Sequence, residues 1–491
     1  MDCILRQSKR EDNRIMECDN CNDTCTDSCL TDYTGSSTGT CVISKPKNGL
    51  YLTGADYESW QDYFSGLVKE DYVKPAPGIC STDPDLKVKN ITFVVTERCN
   101  LRCTYCYETH KSNARMSKQV AKDTVDFLFD EEKINGYYNQ ITSPGVILDF
   151  IGGEPLLEIE LINYIVEYFK FKAFEVGSPW ATNYMISMTT NGILFRNKEV
   201  QDFLKRNKGR VSVGLTIDGN KELHDACRVF PDGSGSYNIV EESAKEWLKT
   251  DSHPQTKITL SPFNIAFVND ALKNVWRLGI SGAFTNVVFE EGWTTEHARI
   301  FYSELIKLAD YLLEDENYFR YYTSLFDESI GKPLIEDRNW CGGNGSMLAI
   351  GTDGRCFPCI RFMKYSLSTP GREEKCIGDI YNGLDSKTDN LWLKELNLVT
   401  MSTQSTDKCN NCQIATGCAL CTGYNYDKFG DPNHRATFIC DMHLSRVMAN
   451  RYYWNKLYKK LKIEKEFPLN IVDDIATQII SVKDLEMLRI I

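Results

Sequence analysis

The sequence lacks the features that would take a protein into or across a membrane. None of its 491 residues belongs to an uninterrupted apolar run long enough to span a bilayer. Residues 1–10 contain no apolar core of the length found in signal peptides. We therefore expect no membrane partner, and the sequence predicts a cytoplasmic location.

Basic residues are also too few for one large class of partner. The chain has 56 Lys and Arg against 68 Asp and Glu, which gives a formal charge of −12. A protein that neutralises nucleic-acid phosphates needs a surplus of Lys and Arg, so we expect no nucleic-acid partner. With 42% hydrophobic and 25% charged residues the composition is that of an ordinary globular protein, and 491 residues predict two or three domains.

Cysteine is abundant, with twenty residues, but it is nearly absent from the middle of the chain. Between Cys106 and Cys341 the only cysteine is Cys227. The others form an N-terminal group, a triplet that begins at Cys99, and a C-terminal group that ends at Cys440. In a reducing compartment such clusters favour metal or iron–sulfur ligation over a disulfide framework.

The central triplet consists of Cys99, Cys103 and Cys106, directly after an apolar, β-branched run at residues 91–95. Three thiols at the end of a predicted strand can hold three corners of a four-iron cluster. The fourth iron then has no protein ligand, and such an open position suits a catalytic cluster. The alternative is a zinc knuckle, but zinc needs a fourth sulfur or imidazole, and only His110 follows closely.

Strands and helices alternate between residues 90 and 288, as is typical of parallel βαβ units. Apolar residues at three- and four-residue spacing mark the helices. The predicted strands are residues 91–96, 146–151, 184–189, 211–217, 257–260 and 283–289. Six strands are too few for a closed eight-stranded barrel, and reactive groups are expected at their carboxyl ends, where the triplet lies.

Glycine and polar residues follow three of these strands. A Gly-Gly-Glu-Pro turn at residues 152–155 follows the second strand, and glycine there permits a close backbone approach. The third predicted strand runs into residues 189–192, and the fourth into residues 214–219. Taken alone, Asn191, Asp218 and His224 at these ends are equally consistent with turn and cap chemistry.

The Cys-x3-Cys-x2-Cys spacing resembles the signature of the radical S-adenosylmethionine (radical SAM) enzymes. In that family the free iron of a 4Fe–4S cluster chelates S-adenosylmethionine, and one electron releases a 5′-deoxyadenosyl radical. The resemblance implies an α/β fold with a partial (β/α)6 TIM-like barrel. It also implies cofactor contacts from Tyr105, Gly152, Gly153, Glu154, Asn191, Thr216 and Arg228.

The C-terminal cysteines resemble a second pattern, the SPASM extension, which carries two auxiliary 4Fe–4S clusters in enzymes that mature peptides and proteins. On that resemblance, the outer cluster would be held by Cys409, Cys412, Cys418 and Cys440, and the inner one by Cys341, Cys359 and Cys421. A zinc ribbon would instead use Cys409, Cys412, Cys418 and Cys421.

The inner set departs from the family pattern in two ways. Two residues rather than the usual three precede Cys421, and Met347 lies where sulfatase-maturing relatives supply a fourth cysteine. Cys356 or Cys376 could close that cluster, which would then be an electron acceptor. If it stays open, its free iron could bind a substrate thiol, as is understood for thioether-forming relatives.

The sequence thus predicts four regions: a small N-terminal module at 1–85, a radical SAM core at 88–330, a SPASM domain at 335–445 and a helical tail at 446–491. The first would recognise the substrate peptide. Its polar start contains four cysteines that could form a metal site, lie in a disordered tail or imitate a cysteine-repeat substrate; these are Cys18, Cys21, Cys25 and Cys29.

Together these resemblances indicate a radical SAM/SPASM peptide maturase. The most concrete expectation is a sulfur-to-carbon thioether formed in a ribosomally made, cysteine-rich precursor peptide. Its partners would be that precursor and an electron donor such as flavodoxin or ferredoxin, and its cofactors S-adenosylmethionine, one 4Fe–4S cluster that binds it and two auxiliary ones. The alternatives are a formylglycine-forming sulfatase maturase and a noncatalytic iron–sulfur electron-transfer or peptide-binding protein.

Overall fold

The computed structural model describes residues 88–138, 140, 143–249, 254–334, 337, 341–344, 347–385, 396 and 398–491. The predicted N-terminal module and its four cysteines lie outside these residues. None of the helices in the described ranges is both long and apolar enough to cross a membrane.

Six parallel strands form the centre of the fold. Four of them are neighbours in chain order within one sheet: β1 (Lys89–Thr96), β2 (Val146–Gly152), β3 (Tyr184–Thr190) and β4 (Val211–Leu215). A second sheet contains β5 (Gln255–Leu260), β6 (Gly282–Val287) and the short β7 (Tyr322–Thr323). All six predicted strands are confirmed, and so is the α/β class.

The two sheets meet between β4 and β5 through a side chain. The Thr256 hydroxyl donates to the Leu215 carbonyl at 2.6 Å and accepts from the Ile217 amide at 3.2 Å. The fourth strand was predicted to reach Ile217 but ends at Leu215. The Thr216 amide still donates to the Thr190 carbonyl at the end of β3, but the Ile217 amide turns to the Thr256 side chain, so the pairing with β3 stops there.

A strand from the C-terminal part of the chain extends the first sheet, which the sequence analysis did not predict. Strand β8 (Met347–Ile350) pairs in parallel with β1, and β9 (Cys356–Phe357) pairs antiparallel with β8. A hairpin of β10 (Gly378–Asp379) and β11 (Gly383–Leu384) follows. The predicted SPASM domain therefore shares a sheet with the predicted core.

Helices connect the strands and complete the C-terminal part. In chain order they are α1 (Lys118–Leu128), α2 (Glu131–Ile134), α3 (Ile159–Glu175), α4 (Lys198–Arg206), α5 (Lys221–Cys227), α6 (Tyr237–Trp247), α7 (Val268–Arg277), α8 (Thr295–Leu313), α9 (Asn317–Arg320), α10 (Met401–Gln404), α11 (Asp407–Asn410), α12 (Thr422–Phe429), α13 (Cys440–Leu461), α14 (Asp473–Ile479) and α15 (Val482–Ile490). The predicted boundary between residues 445 and 446 lies within α13.

The core follows from the alternation of side chains along the strands. Ile91, Phe93 and Val95 on β1 are fully buried beneath the helices, where Phe93 stacks on Phe150 at 5.3 Å between ring centroids. On the opposite face the Thr92 hydroxyl donates to the Asp149 carboxylate at 3.4 Å. One face of the sheet thus packs against helices, and polar groups meet on the other.

Candidate functional site

The loop that carries the central cysteine triplet is held firmly at the carboxyl end of β1. At its start the Thr96 hydroxyl donates to the backbone near the loop's far end, 3.1 Å from the carbonyl of Ala114. Further along, the Arg102 amide donates to the Val229 carbonyl at 2.7 Å, and the Thr104 amide bonds to the end of α5 at 2.9 Å. Because the anchors come from distant parts of the chain, tertiary contacts set the position of the thiols.

The three thiols of the triplet lie within electrostatic range of one another. Burial raises the pKa of Cys99 to about 11, and the neighbouring Cys103 adds to the rise. The pKa of Cys103 is raised by burial, with Arg228 opposing and Cys106 adding to the rise. Cys99 and Cys103 are therefore protonated when free, so ligation would release their protons.

In the part of the chain that the structure describes, no three His, Cys, Asp or Glu side chains are close enough to hold one ion between them. A four-iron cluster needs no such closeness, because each thiolate binds a different iron.

Each thiol of the triplet also has one polar side chain beside it, from three different parts of the chain. The contacts are Asn191 Nδ2 to Cys99 Sγ at 3.8 Å, Arg228 Nη1 to Cys103 Sγ at 3.9 Å and Lys111 Nζ to Cys106 Sγ at 3.0 Å. Two of these donors, Asn191 and Arg228, were predicted as site residues. The third donor, Lys111, was not predicted, because a lysine five positions after Cys106 is not part of a recognisable motif.

The two glycines of the turn after β2 lie against the triplet loop. A Cβ on Gly152 would lie 2.2 Å from the Thr96 carbonyl oxygen, and one on Gly153 would lie 2.3 Å from that of Arg98. The next amide, that of Glu154, donates to the same Arg98 carbonyl at 2.9 Å. Glycine is therefore required here because two backbone segments touch, whether or not a cofactor binds.

The carboxylate of Glu154 is buried and already bonded within the protein. It accepts hydrogen bonds from the Leu156 amide at 3.1 Å, the Thr190 hydroxyl at 2.7 Å and the Asn191 amide at 2.8 Å. Burial raises its pKa, and these bonds oppose the rise. Glu154 thus ties the ends of β2 and β3 together, and its predicted contact with the cofactor stays a prediction.

A buried ion pair lies beneath the triplet. Asp218 is fully buried, and its Oδ2 accepts from Arg228 Nε at 2.7 Å and from the Tyr105 hydroxyl. The Arg228 guanidinium lies 5.5 Å from the centre of the Tyr105 ring. Asp218 is therefore an ion-pair partner and not a turn cap. Its Oδ1 has no hydrogen-bond partner among the described residues, so a donor on a bound cofactor fits there.

His224 connects this ion pair to its supports. Its Nδ1 accepts from the Asp218 amide at 3.2 Å, its Nε2 lies 3.0 Å from the Ser236 hydroxyl, and that hydroxyl donates to the Arg228 carbonyl at 2.7 Å. Burial lowers the pKa of His224 to about 4, so the ring is neutral at pH 7. The predicted cofactor contact Thr216 is also buried and follows β4.

The structure brings the three predicted inner cysteines together. Burial raises the pKa of the Cys359 thiol, and Cys341 and Cys421 are the next largest causes. The Cys341 sulfur lies 2.8 Å from the Thr422 hydroxyl, at the start of α12. Their role as cluster ligands stays a prediction.

Met347 lies beside this inner set. A Cβ on Gly342, the residue after Cys341, would lie 2.6 Å from the Met347 sulfur. The side chain of Met347 thus lies next to the inner set, where the family pattern would place a fourth cysteine.

Cys356 and Cys376 have different neighbours from the inner set. Cys356 is fully buried, and its pKa is raised by burial and then by Cys376 and Asp379. The Cys376 thiol is exposed and lies 3.1 Å from the Gly378 carbonyl. Cys376, and none of the three inner thiols, is thus among the largest influences on the pKa of Cys356.

The four predicted outer cysteines also converge. Burial raises the pKa of Cys418, with Arg435 opposing and Cys412 and Cys409 adding to the rise. Burial likewise raises that of Cys440 to about 11, and Cys418 adds to it. Seven of the nine C-terminal thiols thus lie in two groups, and their role as cluster ligands stays a prediction.

A stack of side chains joins the triplet loop to the inner set, which sequence reasoning missed. The Arg361 guanidinium lies 5.0 Å from the Tyr107 ring centre and 5.8 Å from that of Tyr424. Tyr107 is half-buried and interacts electrostatically with both Cys106 and Cys359. Side chains from three separate segments therefore lie between the two sites.

Comparison with known proteins identifies the central part of the chain. Residues 93–257 match the radical SAM superfamily. The chain therefore contains a radical SAM domain, which confirms that prediction. The family implies a 4Fe–4S cluster and S-adenosylmethionine as cofactors.

Two curated relatives and one solved structure extend the comparison. The subtilosin biosynthesis protein AlbA of Bacillus subtilis is 26% identical over 288 residues, which is 56% of this chain and 55% of that protein. A serine-type anaerobic sulfatase-maturating enzyme of Bacteroides thetaiotaomicron is 30% identical over 158 residues, 30% of this chain and 35% of that enzyme. The chain thus spans about half or less of these relatives.

The solved structure is that of native anSMEcpe with bound AdoMet and a Kp18Cys peptide. It is 20% identical, with a TM-score of 0.56 over 76% of this chain and 99% of that one. At that identity the likeness shows the fold alone.

Proposed function

We propose that this chain is a radical SAM enzyme that modifies a ribosomally made, cysteine-rich peptide by forming a sulfur-to-carbon thioether. The radical SAM domain supports the radical chemistry, and the likeness to a bacteriocin biosynthesis protein supports a peptide substrate. The observation that supports thioether formation is the inner set, in which three thiols lie beside Met347, whereas Cys376 and none of these three is among the largest influences on Cys356.

Cys99, Cys103 and Cys106 would hold the first cluster. The chemistry that this cluster and S-adenosylmethionine would supply there is removal of a hydrogen atom from the substrate. The protein's part is positional: Glu154 and the two glycines fix the triplet loop against the ends of β2 and β3. Asp218 Oδ1 remains available as a buried acceptor for a cofactor hydroxyl or amino group.

Cys341, Cys359 and Cys421 would hold an auxiliary cluster, and its chemistry there would be to bind the sulfur of a substrate cysteine. The thiol proton would be released when that sulfur binds, and the electron left over when the sulfur–carbon bond forms would pass to the auxiliary clusters. The outer four cysteines would hold the second of these, which would exchange electrons with a carrier such as flavodoxin or ferredoxin. Between the triplet and the inner set, the half-buried Tyr107 and the buried Tyr365 would keep water from the path of a reactive intermediate.

The proposal is tested with full-length protein, reconstituted anaerobically with iron and sulfide and then reduced. We expect release of 5′-deoxyadenosine from S-adenosylmethionine, and its loss in Cys103→Ala. The protein is then co-expressed with the peptides encoded by short cysteine-rich reading frames that neighbour its gene, and the masses of these peptides are measured by mass spectrometry. A thioether removes two hydrogens and keeps the sulfur, whereas formylglycine made from cysteine loses the sulfur.

The open inner cluster has its own test, which compares iron content in two variants. We expect Cys356→Ser to keep the iron of the wild type and Cys341→Ser to lose one cluster's share. If Cys356→Ser loses iron to the same extent, the inner cluster is closed by a fourth cysteine and the thioether proposal loses its main support.

The second candidate is formylglycine formation on a sulfatase, favoured by the likeness to the sulfatase-maturating enzyme. The sulfur count of the product separates the two reactions. The remaining candidate is a noncatalytic iron–sulfur electron-transfer or peptide-binding protein. Failure of the reduced, cluster-loaded protein to release 5′-deoxyadenosine would favour it.

A further inference from the structure

Two of the cysteine sets carry a fixed basic side chain in direct contact with a thiol. Lys111 Nζ lies 3.0 Å from Cys106 Sγ in the triplet, and Arg435 Nη2 lies 3.2 Å from Cys418 Sγ in the outer set. Both cations are largely buried: the Lys111 side chain is 14% exposed and Arg435 is 6% exposed. Placing a charged group away from water is costly, so each needs compensating partners.

Lys111 is positioned by an acid from its own loop. Glu108 Oε2 lies 3.4 Å from Lys111 Nζ, and the Glu108 side chain is 5% exposed. The ammonium group therefore lies between a carboxylate and a thiol of the triplet. Part of its charge is balanced by Glu108 before any cluster is considered.

Arg435 is positioned differently. Its backbone amide donates to the Gln404 carbonyl at 2.9 Å, and its Nη1 donates to the Met401 sulfur at 3.2 Å. Nη2 reaches both the carbonyl and the sulfur of Cys418. These partners are all uncharged, so the guanidinium acts on the outer thiols with its full charge.

Reduction adds one negative charge to an iron–sulfur cluster. A cation that donates a hydrogen bond to a ligating sulfur stabilises the reduced cluster more than the oxidised one. Its effect falls off with distance, so a cation in contact with one set acts mainly on that set. Hydrogen bonds to cluster sulfurs are one of the means by which proteins set reduction potentials.

We propose that Lys111 and Arg435 are positioning residues that raise the reduction potentials of two different clusters, Lys111 that of the radical-generating cluster and Arg435 that of the outer auxiliary cluster. The inference rests on the ligand sets of the proposed function. Because Glu108 balances part of the charge of Lys111, we expect Arg435 to have the larger effect.

The test is a redox titration of full-length, reconstituted protein followed by electron paramagnetic resonance, with Lys111→Met and Arg435→Met measured beside the wild type. The signal of the radical-generating cluster is identified as the one that added S-adenosylmethionine perturbs. We expect Lys111→Met to weaken reduction of that cluster several-fold and Arg435→Met to weaken reduction of the outer cluster by about tenfold. For one electron, tenfold corresponds to a potential about 59 mV more negative.

Each variant is the matched control for the other, because each should leave the other's cluster unchanged. Lys111→Arg keeps the charge and should restore most of the wild-type potential. The inference is overturned if neither potential moves, or if both potentials move equally in each variant. If a methionine variant does not load its cluster, the corresponding glutamine variant replaces it, and an unchanged potential there overturns the inference equally.

The outcome is separable from that of the proposed function. Iron and sulfide content and 5′-deoxyadenosine release of the wild type decide whether the clusters and the radical chemistry exist. If they exist and the two reduction potentials are the same in the variants as in the wild type, only the roles of Lys111 and Arg435 are refuted.

Discussion

The buried ion pair between Asp218 and Arg228 provides the sharpest test of how the site is held together. Its two charges are 2.7 Å apart, with Asp218 fully buried and Arg228 only 8% exposed. The perturbation is a double-mutant cycle of Asp218→Asn, Arg228→Met and the combined variant. The cycle isolates the energy that the two side chains share.

The magnitudes follow from what each substitution leaves behind. Arg228→Met leaves a buried carboxylate whose Oδ2 retains the Tyr105 hydroxyl and whose Oδ1 already has no partner among the described residues. Asp218→Asn leaves a buried guanidinium without its counter-charge. Removing one partner of a buried pair costs about 3–5 kcal/mol, so each single variant should lose that much.

The combined variant buries no uncompensated charge and should lose only about 1–3 kcal/mol, the cost of an imperfectly bonded polar group. We therefore expect a coupling energy of several kcal/mol. The assay is urea unfolding of the cluster-free protein under anaerobic conditions, followed by circular dichroism. Free energies are compared only between variants that unfold with equal denaturant dependence.

A solvent-exposed pair on α4 serves as the control cycle. Lys198 and Asp202 lie 2.6 Å apart, and we expect no measurable coupling between them because water screens their charges. If the losses at Asp218 and Arg228 simply add, the reasoning is refuted: the two residues would then be stabilised by separate contacts and not by each other.

Two further predictions concern backbone contact and acid stability. Gly153→Ala should lower the free energy of unfolding by at least about 2 kcal/mol, because the new Cβ would lie 2.3 Å from the Arg98 carbonyl oxygen. Gly214→Ala is the control: its Cβ would have its nearest neighbouring atom 3.6 Å away, and stability should change little. Urea unfolding measures both variants. His443 is buried, its Nε2 lies 2.6 Å from the Ile414 carbonyl oxygen, and burial lowers its pKa from 6.5 to about 4. Between pH 4 and 6.5 the unfolded chain therefore binds more protons than the folded one. About 3 kcal/mol of the free energy of unfolding, present above pH 6.5, should be lost as the pH falls towards 4. The free energy of unfolding of His443→Gln, measured across the same range, should not show this decrease.

Short-range patterns in the sequence were enough to predict much of the fold. The six strands were found because β-branched and apolar runs alternate with helical periodicity, and both are local properties. The triplet was predicted from its short Cys-x3-Cys-x2-Cys spacing, and the two C-terminal sets were predicted from the resemblance of their order to the SPASM extension. Even Cys421, whose spacing departs from the family, lies with Cys341 and Cys359 in the structure.

Other features depend on segments far apart in the chain, and only the tertiary structure decided them. Strand β8 pairs with β1 across more than two hundred residues, and this pairing brings the inner cysteines to the sheet. The protein partners of Glu154 and Asp218 could not be predicted for the same reason: a carboxylate's partners are those that folding places around it.

The sequence by itself determined the residue types, their local spacing and hence the class of fold and the sets of thiols. It did not determine which donors contact which thiol. Only folding brings Lys111, Arg228 and Arg435 next to the cysteines. Hydrogen bonds and charge interactions act over a few ångströms in space and are indifferent to separation along the chain.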